Sequence, residues 1–86
     1  MKTNHLMLKE LLKVYHPETR GVMSYDERRL IEKTLHLADM DILALRNLRD
    51  FVVLYCSQSK DYDDWDKMSA ITHVIDMEIS YNGGIV

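Results

Sequence analysis

DDWDKMSAITHVIDMEISY, residues 63–81, decides how this chain folds, because wound as a helix it carries two apolar faces. At about 100° per residue, Trp65, Met68, Ile71, Ile75 and Ile79 make one stripe, and Ala70, Val74, Met77 and Tyr81 make a second on the opposite side. A surface helix of a small monomer needs only one such face. The second is covered either by other helices of the same bundle or by another molecule. The first stripe, Trp65 to Ile79, is assigned to the core. The preceding helix already claims the central place, so Ala70, Val74, Met77 and Tyr81 are expected to form a self-association surface in a homodimer.

Working outward, Asn82-Gly83-Gly84 stops this helix, because glycine tolerates the positive φ of a helix end. Ser57 to Tyr62 reads as a polar loop, and Asp61 or Asp63 caps the helix after it. The segment before the loop, about 40–57, carries Ala44, Leu45, Leu48, Phe51, Val52 and Tyr55 on one face and is apolar all round in its second half, the mark of a central helix. Asp39 or Asp41 caps it. A helix over about 25–37 starts at the capping box Ser24 and Glu27 and buries Leu30, Ile31, Thr34, Leu35, Leu37 and Ala38. The first helix, about 3–15, groups Met7, Leu8, Leu11, Leu12, Val14 and Tyr15, and His16-Pro17 ends it; Pro17 to Met23 is a loop. The expected fold is all-α, a compact antiparallel bundle of four helices in a single domain spanning residues 1–86.

A chain of 86 residues removes only about 60 to 65% of its unfolded surface from water, so its stability margin is thin. Hydrophobic residues at 47% and charged residues at 29% exclude a disordered tail. The formal charge of −3 is uneven: residues 1–56 sum to +1 and residues 57–86 to −4. Cys56 is the only cysteine and sits in an apolar run, so it reads as an inert buried thiol. No run reaches the roughly 18 apolar residues of a membrane span, and no signal peptide is apparent. A cytoplasmic protein without membrane contact is expected.

No pattern here brings a nucleophile, acid and base together, so no catalytic residue is assigned and no enzyme is expected. His5, His16, His36 and His73 never recur four residues apart, and no cofactor or metal is expected. His73 and Asp76 lie one turn apart and read as a solvated pair. Asp61, Tyr62, Asp63, Asp64, Trp65 and Asp66 place four carboxylates in six residues. This is not a calcium loop, because the central glycine and the terminal glutamate near Thr72 are missing. Acids at a helix start complement its exposed amides. The same segment also makes an acidic, aromatic edge suited to a protein partner with a basic or nucleic-acid-binding surface.

Duplex DNA is a weaker fit. Helices two and three can be drawn as a helix-turn-helix with Arg46 and Arg49 toward the groove, but Asp39 and Asp41 would meet phosphates with like charge. The chain therefore reads as a small non-enzymatic interaction module that regulates or inhibits a larger protein through residues 61–66. A DNA-binding regulator using helix three is the alternative. Phage and plasmid regulators, including inhibitors of host defence, offer an analogy of size and charge alone.

Overall fold

The computed structural model describes residues 3–16 and 23–83, and over these the chain forms helices and no strand. In order they are α1 (Asn4–Val14), α2 (Tyr25–Thr34), α3 (Ile42–Ser57) and α4 (Tyr62–Tyr81), with a single 3-10 turn over Leu37–Asp39 between α2 and α3. The fold is an all-α bundle built on the close pairing of α3 and α4. The loop expected over residues 17–22 and the last stop residue, Gly84, lie outside the described residues.

Each helix begins where a side chain answers its unpaired amides. Thr3 Oγ1 accepts from Leu6 N–H at 3.3 Å. At α2 the capping box is complete: Ser24 Oγ accepts from Glu27 N–H at 3.2 Å, and Glu27 Oε2 accepts from Ser24 N–H at 2.9 Å. Asp41 Oδ1 accepts from Ala44 N–H at 2.8 Å and Asp61 Oδ1 from Asp63 N–H at 3.0 Å. Of the two aspartates offered for each of these last caps, the earlier serves α4 and the later serves α3.

Helix two is shorter than its sequence suggests. His36 adopts φ 54, the left-handed conformation that ends a helix, although no glycine marks the place. The 3-10 turn then swings Leu37 into the core at 1% exposure and leaves Ala38 exposed, where continued helix would have kept both on the buried side.

One contiguous core joins Leu8, Leu11 and Tyr15 of the first segment, Ile31 and Leu35 of the second, Leu45, Leu48, Val52 and Cys56 of α3, and Ile71, Val74, Ile75 and Ile79 of α4. Full burial of each large aliphatic side chain contributes about 1.5–3 kcal/mol. Val74 is 1% exposed, so the stripe Ala70, Val74, Met77, Tyr81 is not a continuous exposed face. Ala70 and Met77 are half-buried, and only Tyr81 is exposed. The physical reason is that α4 packs against α2 as well as α3, so both of its sides are core. Four other residues expected inside lie outside: Val14 at 56%, Trp65 at 48%, and, on the supposedly surrounded half of α3, Val53 at 40% and Leu54 at 56%.

Two polar contacts tie α1 and α2 to α4. Lys67, the one buried charged residue among the described residues, donates from Nζ to the Leu12 carbonyl at 2.9 Å. That carbonyl is in the last turn of α1, where helix geometry supplies no partner, and a cation suits the negative end of the dipole. At the other end of α4, the Arg28 guanidinium of α2 lies 5.6 Å from the Tyr81 ring centroid and donates to the Tyr81 hydroxyl at 3.4 Å. Hydrogen bonds to Tyr81 first and Glu32 second push the Arg28 pKa up.

Val74→Asp is expected to abolish cooperative thermal unfolding followed by circular dichroism, since an unpaired buried charge costs several kcal/mol and a domain of this size holds roughly 5–10 kcal/mol in all. Tyr81→Asp is expected to shift stability by no more than about 1 kcal/mol. At His36, a change to Gly is expected to stabilise the fold by about 1 kcal/mol in urea titrations, because glycine carries no Cβ penalty in the left-handed region.

Candidate functional site

The turn between α3 and α4 is held by one serine. Ser59 donates its hydroxyl to Asp64 Oδ2 at 2.7 Å and accepts at that hydroxyl from Asp61 N–H at 3.2 Å. Its carbonyl accepts from Trp65 Nε1 at 3.3 Å. Three anchors on one residue fix where α4 begins and which way the indole faces. Asp61 caps the helix, and half-buried Asp64 accepts from Ser59. Asp63 and Asp66 lie exposed beside them.

Capping does not account for the aromatics. Tyr62 is 81% exposed and Trp65 48%, and their rings meet edge to face with centroids 6.1 Å apart and planes at 67°. Such a pair restricts both side chains without burying either, so much of the ordering cost of a contact is met beforehand. The sequence marks the two aromatics and the four acids, but not Ser59, whose role depends on backbone geometry in a short loop.

The other candidate groups are drawn into the bundle or kept apart. Asp76 Oδ1 lies 2.8 Å from Arg49 Nε across the α3–α4 seam, and His73 is exposed. The same ion pair holds Arg49 back from the groove-facing role of a recognition helix. His5 sits edge-on to Tyr55 and Phe51, with ring centroids at 5.7 and 6.4 Å. Among the described residues no three of His, Cys, Asp and Glu converge on a place that could hold a metal ion. A depression of about 460 Å³ is lined by Arg29, Glu32, Lys33, His36, Ala38 and Asp39, with both signs of charge interleaved. None of the described helices is long and apolar enough to cross a membrane.

Cys56 is fully buried near this corner, and burial, with Asp64's charge adding to it, pushes its thiol from 9.0 up to about 11. Tyr15 shifts up for the same two kinds of reason, burial first and the charge of Glu27 second. Set beside protein-family models, curated proteins and solved structures, the chain matches none of them.

Both shifts destabilise the fold at alkaline pH. The unfolded thiol ionises first, so the stability owed to the protonated Cys56 is complete below about pH 9 and is lost as pH rises toward about 11. Urea midpoints are expected to fall across that window. A Cys56→Ser variant is expected to show a smaller fall, and in the wild type a thiol reagent at pH 8 is expected to label Cys56 only at the rate of unfolding.

Proposed function

We propose that this protein is a non-enzymatic interaction module that regulates or inhibits a larger protein by docking the start of α4 on a basic surface. One observation carries the reading: Tyr62 and Trp65 are displayed together on a braced turn, among carboxylates. Exposed aromatics of this kind serve as anchors, because a large rigid ring gives up its hydration at small entropic cost.

The charges have a separate role. Asp63 and Asp66, with the capping acids Asp61 and Asp64 behind them, concentrate negative potential at one corner of a chain whose first 56 residues sum to +1. Such a field steers encounter with a basic surface and raises the association rate more than the final affinity. A protein that otherwise holds nucleic acid presents a surface of that chemistry. The reading places the protein wherever such a partner works, and the cytoplasm is the compartment proposed.

The test begins with the partner recovered on tagged protein from the native cell, whose affinity is then measured by calorimetry. Tyr62→Ala with Trp65→Ala is expected to weaken binding by a hundredfold or more, at about 1.4 kcal/mol per tenfold, with helix content unchanged. Asp63→Asn with Asp66→Asn is expected to slow association and flatten its salt dependence. Retention of full affinity by the aromatic double variant would sink the proposal. Duplex DNA binding that weakens steeply with salt would replace it with the helix-three alternative.

A further inference from the structure

The outward face of α3 has a pattern that the fold does not use. Leu43, Asn47, Asp50 and Leu54 follow at spacings of four, three and four, which aligns them along one side of a helix. All four are exposed, the leucines at 72% and 56%, while Leu45, Leu48, Val52 and Cys56 on the opposite side are at 0%. Single exposed leucines are ordinary. Two on one line, joined by the spacing of a helix-pairing seam, are a different matter.

The order of the four residues says what would cover them. Read one way along α3 they run Leu, Asn, Asp, Leu; read the other way they run Leu, Asp, Asn, Leu. We propose that α3 pairs antiparallel with α3 of a second copy of this chain, about a twofold axis passing between Leu48 and Arg49. Leu43 then meets the partner's Leu54, and Leu54 meets the partner's Leu43. Between them Asn47 donates its amide N–H to the carboxylate of the partner's Asp50, and the twofold axis repeats the bond in reverse. A contact of this isologous kind requires a surface complementary to itself, and these four residues supply apolar and polar matches at once.

Parallel pairing is disfavoured by the same residues, because it sets Asp50 against the partner's Asp50, like charge on like. A foreign helix has no reason to meet a pattern that matches its own reverse. The seam is made of α3 residues alone and uses neither Tyr62 nor Trp65.

Sedimentation equilibrium on the full chain, from micromolar to several hundred micromolar, tests the proposal. A reversible dimer is expected, and Leu43→Glu or Leu54→Glu is expected to raise its dissociation constant at least about tenfold. Both sites are exposed, so helix content by circular dichroism is expected to stay unchanged. Orientation is read separately: on oxidation, Leu43→Cys mixed with Leu54→Cys is expected to give disulfide-linked mixed dimers in excess of either variant alone, with Cys56 silent in the core. A chain that stays monomeric over the whole range, a dimer indifferent to both glutamates, or Leu43→Cys linking preferentially to itself would each overturn it.

Discussion

Helix α4 packs against both α3 and α2, and those two helices in turn carry α1. Ile71, Ile75 and Ile79 with Val74 occupy the middle of the core, so no neighbour can leave without exposing part of this row. Polar ties join it to its neighbours: Lys67 holds the last turn of α1, Asp76 pairs with Arg49 of α3, and Tyr81 takes the guanidinium of Arg28 from α2. In a chain this short the aliphatic row supplies much of the stability, and the ties select which helix goes where.

Because α4 must start at a fixed point to keep that row in register, its first turn is braced. Ser59, Asp61 and Asp64 do this with hydrogen bonds around one short loop. The rigidity also holds Tyr62 and Trp65 in place, and a braced aromatic pair is what a docking edge needs. Stability and the proposed function thus share a loop and, at Trp65, a side chain: the brace uses Ser59, Asp61, Asp64 and the Trp65 indole N–H, and the proposed anchors are Tyr62 and the exposed part of that same indole.

The number, order and approximate limits of the helices were legible in the chain, because apolar spacing and capping residues are local signals. Ser24 with Glu27, the aspartates at 41 and 61, and the left-handed Gly83 all act within a few residues of themselves. The end of α2 was not legible, since His36 turns left-handed without a glycine, driven by the burial of Leu37 rather than by local preference. Lys67 was likewise hidden. Nothing in its neighbourhood of sequence points to a carbonyl 55 residues earlier. The candidate site was half legible: the acids and aromatics stand out in the sequence, whereas the brace that fixes the start of α4 comes from Ser59.

The largest difference concerns the two-faced helix. The sequence by itself determined that α4 has two apolar sides, since periodicity is a property of the helix alone. Whether the second side belonged to this chain or to another copy was decided by tertiary structure, because burial depends on which helices come to lie beside it. Val74 went inward, and Trp65 and Leu54 outward, for that single reason. Local residues specify what a helix has to bury; only the assembled bundle settles where each side chain finds cover.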